Sequence, residues 1–336
     1  MKKLKVGMIS FAHGHAYSYL NSLRAMPSVE ITGIADEVKS RVEEVTTNYG
    51  LPYFENYQDL LATGIDAVVI CSENARHAEI TIAAAKSGKH VLCEKPLGIS
   101  VSEMEAMISA CKENDVQLMT AFPCRYLASV IKAKEAVELG EIGDIIAIKG
   151  TNRGSLPSGW FLQSELSGGG ALLDHTVHVM DLMNWITQSE VKEVYAYSAT
   201  LFNENLDIDD TGMIHVKYAN GVFGVLDTSW SRNSAFPTWG DVTMTIIGTK
   251  GTISVDGFAQ KNELYSLENG KGIWNFWGDS MDDYLVKAFV HALLNGEQVP
   301  ITGEDGLRST VVALAGYKSV ELGQPVLLVD FSFLPT

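Results

Sequence analysis

The chain has 336 residues, enough for two domains with cores of their own, and its 46% hydrophobic and 20% charged residues are ordinary for a globular protein. Lys and Arg number 25 against 41 Asp and Glu. The resulting net charge of −16 argues against a nucleic-acid partner and against an anionic membrane surface.

Two features bear on the cellular compartment. The segment Met1-Lys2-Lys3 is followed by a short apolar run with no cleavage pattern, so we expect no signal peptide, and no apolar run approaches the length of a membrane span. The four cysteines form no C-x-x-C pair and are scattered, at Cys71, Cys93, Cys111 and Cys124. Reduced thiols fit this spacing better than disulfides or zinc, which predicts a cytoplasmic protein.

The first 121 residues alternate between short apolar runs and helical patterns. The apolar runs, each typical of a buried strand, lie at 5–10, 29–35, 66–71, 90–93 and 116–121. The helical patterns lie between them, at 16–25, 38–48, 76–86 and 102–113. Strands that are apolar on both faces and alternate with helices predict a doubly wound parallel sheet.

The turn after the first strand, Ser10-Phe11-Ala12-His13-Gly14-His15, stands where a dinucleotide-binding fold has G-x-G-x-x-G. Ser10 and Ala12 keep the first two glycine positions small, whereas His15 replaces the third glycine. Asp36 ends the second strand, where an acid binds the ribose of the cofactor; the alternative is a cap for the helix that follows. We therefore predict that residues 10–15 and Asp36 bind a dinucleotide.

The pair His13-x-His15 also permits a metal-binding interpretation. In metal-dependent hydrolase barrels an H-x-H pair at the end of a first strand ligates a divalent ion. The strand–helix alternation stops near Ala121, which argues against a barrel. We therefore predict no metal ligand among the site residues.

The run Gly168-Gly169-Gly170 precedes a helical pattern that carries acid/base groups. Glycines permit positive φ angles and the close approach of a ligand. In the helix, Asp174, His178 and Asp181 share one face. A carboxylate one turn before an imidazole can accept its N–H and stabilise its cation, as a general acid/base requires. The alternative is a core helix that tolerates a few polar residues.

The pattern changes beyond residue 124. A helix at 127–139 and a strand at 144–150 lead into a loop that carries Asn152, Arg153 and Trp160. Strand-like runs follow at 191–200, 211–218, 222–231, 241–247 and 251–255. Asn220-Gly221, between the second and third of these runs, predicts a hairpin turn. Short turns between successive strands predict an antiparallel sheet with helices on one face, and helices at 281–294 and 306–321 close the chain.

Two motifs resemble one known family. Gly88-Lys89-His90-Val91-Leu92-Cys93-Glu94-Lys95-Pro96 and Gly168-Gly169-Gly170-x-x-x-Asp174-x-x-x-His178 are similar to motifs of the glucose–fructose oxidoreductase/inositol dehydrogenase/MocA (Gfo/Idh/MocA) family. The resemblance covers nearly the whole chain. This sequence departs from the family pattern at Ser10, Ala12, His15 and Glu73.

The resemblance implies an α/β plus α+β protein. Residues 1–123 would form an N-terminal dinucleotide-binding Rossmann domain with a doubly wound parallel sheet. Residues 124–336 would form a C-terminal substrate-binding and oligomerisation domain with a large, mostly antiparallel sheet, and the protein would be a homodimer or homotetramer. Family members mostly oxidise or reduce sugars and polyols with a nicotinamide dinucleotide, so we expect an NAD(P)-dependent dehydrogenase acting on the CH–OH group of a small carbohydrate.

The resemblance also implies the site residues. The catalytic group would be Lys95, Asp174 and His178, and the Lys95–Pro96 peptide bond would be cis. Further cofactor contacts would come from Ser72, His77, Glu94 and Lys95. Side chains that could line a sugar pocket, with a structural or surface role as the alternative for each, are Arg125, Tyr126, Asn152, Arg153, Trp160 and His175.

The chemistry expected of these residues is hydride transfer with proton removal. His178 would take the hydroxyl proton, Asp174 would orient His178, and Lys95 would stabilise the alkoxide. We expect NAD rather than NADP, because Asp36 would repel a 2′-phosphate and is followed by Glu37 instead of a basic residue. Two rivals remain: a non-catalytic dinucleotide-binding sensor, and a metal-dependent hydrolase or lyase that uses His13 and His15, with His77 as a further candidate.

Overall fold

The structure is a computed structural model that describes residues 3–331. The strands are β1 (Leu4–Ile9), β2 (Val29–Ala35), β3 (Tyr53–Phe54), β4 (Ala67–Ile70), β5 (His90–Cys93), β6 (Leu118–Thr120), β7 (Ile145–Thr151), β8 (Val191–Ala199), β9 (Thr211–Tyr218), β10 (Phe223–Asp227), β11 (Thr243–Gly248), β12 (Thr252–Asp256), β13 (Lys261–Tyr265), β14 (Gly272–Phe276) and β15 (Val326–Leu327). The helices are α1 (His15–Arg24), α2 (Lys39–Tyr49), α3 (Tyr57–Leu61), α4 (His77–Lys86), α5 (Val101–Glu113), α6 (Ala128–Glu138), α7 (Ser164–Ser167), α8 (Ala171–Thr187), α9 (Met281–Asn295), α10 (Gly303–Leu322) and α11 (Leu328–Phe331). Residues 1–2 and 332–336, which include part of the expected N-terminal segment and the outer ends of the two expected domains, lie outside the described residues.

The chain folds into two units. The first comprises residues up to Pro123 together with Asp282–Leu307. The second comprises Cys124–Met281 and the residues from Arg308 onward. The assignment of cofactor binding to residues 1–123, and of substrate binding and oligomerisation to residues 124–336, stays a prediction.

Six parallel strands form the sheet of the first unit, in the order β3-β2-β1-β4-β5-β6. The chain runs outward in one direction from β1 to β3 and in the other from β4 to β6, so the switch point lies between β1 and β4. Every residue of β4 is buried, as expected of a strand covered on both faces. The predicted doubly wound parallel sheet is confirmed. A barrel would require a closed sheet, so the barrel interpretation is wrong for the described part of the chain.

Seven strands form the main sheet of the second unit, in the order β12-β11-β7-β10-β9-β8-β15. All neighbouring pairs are antiparallel except β7 and β10, which confirms the mostly antiparallel sheet. Helix α8 packs on this sheet through Val179 and Met183. A Cβ atom at Gly150 of β7 would stand 2.7 Å from Val179 Cγ1, so glycine permits this close approach. The sheet thereby positions the helix that carries Asp174 and His178.

The sequence patterns miss or misplace a few short elements. The strand expected at 222–231 ends at Asp227, because Asp227 Oδ1 accepts hydrogen bonds from the N–H and Oγ–H of Ser229 and turns the chain. The elements β3, α3 and α7 span only two to five residues, too few for a periodic pattern. The hairpin of β13 and β14 is mostly exposed and lacks apolar alternation.

The predicted hairpin turn and the predicted free thiols are also confirmed. The Asn220-Gly221 turn joins antiparallel β9 and β10, with Gly221 at a φ of 89°. All four cysteines are buried free thiols. Among residues 3–331, no helix is both long and apolar enough to cross a membrane.

Candidate active site

The turn between β1 and α1 takes a glycine-like conformation at its first position. Ser10 has a φ of 65°, in the left-handed region that favours glycine. Its Oγ accepts the N–H of Ala12 at 3.2 Å, and the N–H of His13 donates to the carbonyl of Cys71 at 2.9 Å. No other atom lies within 4 Å of the place that a Cβ atom on Gly14 would take. The turn before α1 is open beside Gly14, and its binding of a dinucleotide diphosphate stays a prediction.

Asp36 ties this turn to the next helix. Its Oδ2 accepts the N–H of Phe11 at 2.7 Å, and its Oδ1 accepts the N–H of Val38 at 2.8 Å, just before α2. Arg41 of α2 places Nη1 3.7 Å from Asp36 Oδ1 and Nη2 3.2 Å from Glu73 Oε1. The sequence analysis missed Arg41, because only the turn of the helix brings it back to Asp36. Asp36 thus supports the start of α2, and its contact with ribose stays a prediction.

His13, His15 and Glu94 form a cluster in the first unit, in which His13 and Glu94 are buried and His15 is half-buried. His15 Nδ1 lies 2.9 Å from Glu94 Oε1, and His13 Nδ1 lies 4.0 Å from the same oxygen. The hydroxyl of Tyr19 lies 3.3 Å from His15 Nδ1. Burial alone would lower the pKa of His15, but the Glu94 carboxylate outweighs it and the pKa is raised. Burial alone would raise the pKa of Glu94, but the two histidines and Lys95 hold it well below its ordinary value. The cluster therefore keeps Glu94 ionised.

His77 joins the turns after β4 and β5. Its Nδ1 lies 2.9 Å from the carbonyl oxygen of Pro96, and its Nε2 lies 3.2 Å from that of Ser72. Burial lowers the pKa of His77. Because both ring nitrogens face carbonyl oxygens, neither remains for a metal ion, and the suggestion of His77 as a metal ligand is wrong.

Lys95 lies buried in the first unit, directly after β5. Its backbone N–H donates to Glu94 Oε2 at 3.1 Å. The Lys95–Pro96 peptide bond is cis, as predicted. The Glu94-Lys95-Pro96 motif therefore connects the cluster of His13 and His15 to the predicted catalytic lysine.

The glycine run in front of α8 is packed by the protein itself. A Cβ atom on Gly169 would collide with the ring of Tyr317, and one on Gly170 would collide with the backbone of Asp209. Asp209 accepts the N–H of Leu172 at 2.7 Å, and the Tyr317 hydroxyl both donates to Asp209 Oδ1 at 2.7 Å and accepts the N–H of Gly170 at 2.9 Å. The close approach that we expected of a ligand is thus made by these two residues, through the ring of Tyr317 and the backbone of Asp209. They satisfy the free N–H groups at the start of α8 and fix its first turn.

The predicted acid/base residues stand on the first two turns of α8. Asp174 Oδ2 lies 3.4 Å from Nε2 of the adjacent His175, whose ring packs edge-on against Trp230 and Trp239 at centroid distances of 6.3 and 6.0 Å. His178 is buried, and its Nδ1 lies 3.7 Å from the Sγ of Cys124. Orientation of His178 by Asp174 stays a prediction. Cys124 is a neighbour of His178 that the sequence analysis did not identify.

Arg125 and Asp181 form a buried ion pair in the second unit. The Nε of Arg125 donates to Asp181 Oδ2 at 2.7 Å, and its Nη2 donates to Oδ1 at 2.5 Å. Asp181 lies on α8 three residues after His178, so the pair fixes the helix next to the predicted proton-transfer residue. The predicted contact of Arg125 with substrate stays a prediction.

Asn152 and Arg153 both bind Asp241. The Nδ2 of Asn152 donates to the Asp241 carbonyl oxygen at 3.0 Å, and Arg153 Nη2 lies 2.9 Å from Asp241 Oδ2. Arg232 and Thr151 also donate to the Asp241 carboxylate. Burial alone would raise the pKa of Asp241, but the hydrogen bonds from Arg232, Thr151 and Arg153 lower it. These contacts serve the fold, and the place of Asn152 and Arg153 in a sugar pocket stays a prediction.

Two aromatic candidates remain. The hydroxyl of Tyr126 is buried and has no hydrogen-bond partner among the described residues, and burial raises its pKa to about 12. A buried hydroxyl of this kind calls for a ligand or a water molecule. Trp160 is buried and stacks on Phe161 at a centroid distance of 3.9 Å. Their contact with substrate stays a prediction.

Comparison with known proteins identifies the family. Residues 4–122 match the oxidoreductase family with an NAD-binding Rossmann fold, and residues 130–254 match the GFO/IDH/MocA C-terminal domain. The myo-inositol 2-dehydrogenase of Thermotoga maritima is 31% identical over 315 residues, which cover 90% of this chain and 92% of that protein. The chain belongs to the Gfo/Idh/MocA oxidoreductase family.

Further similar proteins match most of the chain. The levoglucosan dehydrogenase of Pseudarthrobacter phenanthrenivorans is 31% identical over 79% of this chain and 76% of that protein. The crystal structure of scyllo-inositol dehydrogenase from Lactobacillus casei, with NAD(H) and scyllo-inositol bound, is 26% identical with a TM-score of 0.84 and covers 98% of this chain and 100% of that chain. The predicted resemblance is confirmed, and the protein is a Gfo/Idh/MocA oxidoreductase with an NAD-binding Rossmann domain.

Three of the supporting residues that the sequence analysis missed share one property. Asp209, Tyr317 and Asp241 lie far along the chain from the groups they bind and stand in no recognisable motif. Asp209 and Asp241 each lie two residues before a strand, and this local signal does not identify the partner. Most of the predicted site residues, in contrast, lie in motifs or close after strands, and Trp160 lies in the loop that precedes the glycine run.

Proposed function

We propose that the protein is an NAD-dependent dehydrogenase that oxidises a secondary alcohol of a cyclic polyol or sugar. The observation that carries this proposal is a carboxylate and an imidazole, Asp174 and His178, on the first two turns of α8 in a chain of an NAD-binding oxidoreductase family. The names of the relatives support the substrate class, because they are dehydrogenases of inositols and of levoglucosan.

The residues divide the chemistry between them. When bound, NAD accepts the hydride from the carbinol carbon. His178 removes the hydroxyl proton, because histidine is the side chain that exchanges a proton most readily near neutral pH. Lys95 donates to the same oxygen and stabilises its developing negative charge. Asp174 orients His178. A sensor that only binds dinucleotide would have no use for these three side chains together.

We also propose a cytoplasmic homodimer or homotetramer. The outer face of the seven-stranded sheet exposes large apolar side chains, namely Tyr197 (64%), Met213 (49%), Phe223 (56%) and Ile247 (40%). Tyr197 and Met213 are paired across β8 and β9, so they share this face. Exposed aromatic side chains and methionine on one sheet face favour a subunit interface, where these residue types are enriched. Light scattering should give a mass of two or four chains, and Phe223→Asp should lower it. A monomeric wild type would contradict the proposal.

The direct test is a screen for cofactor reduction. Purified protein and NAD are mixed with one carbohydrate at a time, and NADH formation is followed by absorbance. The carbohydrates are myo-inositol, scyllo-inositol, levoglucosan, glucose and xylose. At least one polyol or sugar should give turnover that requires both NAD and substrate. NADH binding to the protein, measured by fluorescence, without turnover on any carbohydrate would favour the sensor instead.

A further inference from the structure

The cluster of His13, His15 and Glu94 has the composition of a metal site. Each residue offers one ligand atom, and these atoms lie within 4.8 Å of one another. All three belong to the first unit, where His13 and His15 follow β1 and Glu94 follows β5. Strand β4 lies between β1 and β5, and because all three strands are parallel, the residues that follow β1 and β5 meet at the same edge of the sheet.

The spacing of the ligand atoms suits a small divalent ion. Ligands about 2.1 Å from a tetrahedral ion stand roughly 3.4 Å apart. Glu94 Oε1 lies 2.9 Å from His15 Nδ1 and 4.0 Å from His13 Nδ1. These two separations lie on either side of that value. Small side-chain shifts would therefore complete the geometry. His13 Nδ1 now accepts the backbone N–H of His15 at 3.2 Å, and the ion would bind the same lone pair.

Surrounding groups hold the ligands in place. The backbone N–H of Lys95 donates to Glu94 Oε2 at 3.1 Å, which leaves Oε1 directed at the two imidazoles. The hydroxyl of fully buried Tyr19 lies 3.3 Å from His15 Nδ1. The Lys95 contact orients a ligand as the outer contacts of metal sites usually do, whereas the Tyr19 hydroxyl approaches the ligand atom itself and would give way to the ion.

We propose that His13, His15 and Glu94 bind one divalent transition-metal ion such as Zn²⁺ or Co²⁺. Two imidazoles and one carboxylate suit these borderline ions, whereas Mg²⁺ and Ca²⁺ require oxygen ligands. An ion pair between His15 and Glu94 alone would explain the replacement of the third glycine by histidine. It would not explain the second imidazole of His13 beside the same carboxylate oxygen.

The test is metal binding to the NAD-free, tag-free full-length protein. After treatment with a chelator, the protein is titrated with CoCl₂ in a calorimeter and by visible absorbance, and with MgCl₂ in parallel. We expect one Co²⁺ per chain, with the absorption of a nitrogen- and oxygen-ligated ion, and much weaker Mg²⁺ binding. Failure to bind Co²⁺ stoichiometrically would overturn the proposal.

The His13→Asn variant identifies the ligands. An asparagine oxygen can still accept the His15 N–H but is a poor replacement for imidazole, so Co²⁺ affinity should fall roughly 10- to 100-fold or more. His291→Asn makes the same change at an exposed position of α9 and should bind as the wild type does. If thermal unfolding without metal shows that His13→Asn does not fold, His15→Asn replaces it in the same titration. Wild-type affinity in the folded variant would overturn the proposal.

The outcome is separate from that of the proposed function. NADH binding to the metal-free wild type is measured by fluorescence in the same preparation. NADH binding without Co²⁺ binding would reject the metal site and leave the dehydrogenase proposal standing. Co²⁺ binding without carbohydrate oxidation would support the metal site and reject the dehydrogenase proposal.

Discussion

Arg125 binds both carboxylate oxygens of Asp181 through two hydrogen bonds of 2.7 and 2.5 Å, and neither side chain is more than 9% exposed. Removal of one partner from such a pair leaves a buried charge without compensation. Asp181→Ala should therefore lower the free energy of unfolding by about 3–5 kcal/mol in urea denaturation. Replacement of both residues, in Arg125→Met/Asp181→Leu, should recover much of the loss.

The control for this pair is Glu135→Ala on α6. Glu135 binds Lys132 at the surface, where the side chains are 49% and 77% exposed. Its removal should change the free energy of unfolding by less than about 1 kcal/mol. Equal effects of Asp181→Ala and Glu135→Ala would contradict the structural importance of the buried pair.

Substitution of His178 should affect chemistry rather than cofactor binding. His178→Ala should lower kcat by roughly 10²–10⁴-fold, because general acid/base groups contribute about that much, while the Kd for NADH stays near the wild-type value. His291→Ala, at an exposed position, is the control. Near-normal turnover by His178→Ala on the substrate found in the screen would remove His178 from the mechanism.

NAD should bind more tightly than NADP. Two arginines near Asp36 already bind carboxylates. Arg41 binds Asp36 and Glu73, and Arg76 binds Glu37 and Glu79. Repulsion between Asp36 and a 2′-phosphate should cost about 1–3 kcal/mol, or roughly 5- to 150-fold in affinity. Fluorescence titrations with NADH and NADPH measure the ratio, and equal or tighter NADPH binding would contradict the prediction.

The double variant Asp36→Ser/Glu73→Gln tests the origin of this preference. It removes the repelling charge and releases Arg41 to bind a phosphate, so the NADPH-to-NADH affinity ratio should rise. Glu43→Gln removes an exposed carboxylate from α2, the helix that carries Arg41, and should leave the affinity ratio unchanged. A ratio that is the same in both variants would show that Asp36 does not select the cofactor.

The Tyr317 hydroxyl should stabilise the start of α8. Tyr317→Phe leaves the N–H of Gly170 and the Oδ1 of Asp209 with one hydrogen bond fewer. Loss of a buried partner typically costs about 1–3 kcal/mol, so the urea midpoint should fall accordingly. Tyr265→Phe removes an exposed hydroxyl that binds Glu263 and should not move the midpoint. Equal midpoints for the two variants would contradict the assignment.

Asp241 should make stability depend on pH in the acid range. Its pKa in the folded protein is lower than the ordinary value of 3.8. Its contribution to stability is therefore complete above that ordinary value and is lost as the pH falls through the folded-state pKa. The difference in Tm between wild type and Asp241→Asn should be constant near neutral pH and should shrink below about pH 4. For Asp256→Asn, whose side chain is 49% exposed, the difference should be small throughout.

The sequence by itself determined the family, the two sheets and the principal motifs. Apolar runs and helical periods are local properties, so the alternation up to residue 121 sufficed to predict the parallel sheet that β1 to β6 form. The Asn220-Gly221 turn was predictable for the same reason, since two residues define it. The Glu94-Lys95-Pro96 motif and the glycine run likewise lie within short stretches of chain.

Only the tertiary structure decided which groups meet. Tyr317 binds Gly170 across 147 residues of sequence, and His15 binds Glu94 across 79. Neither contact follows from periodicity, because strand order and helix packing, not spacing along the chain, bring the residues together. The role of the glycine run changed for the same reason: the sequence shows that an atom must approach closely, and the fold alone determines that the atoms belong to Asp209 and Tyr317.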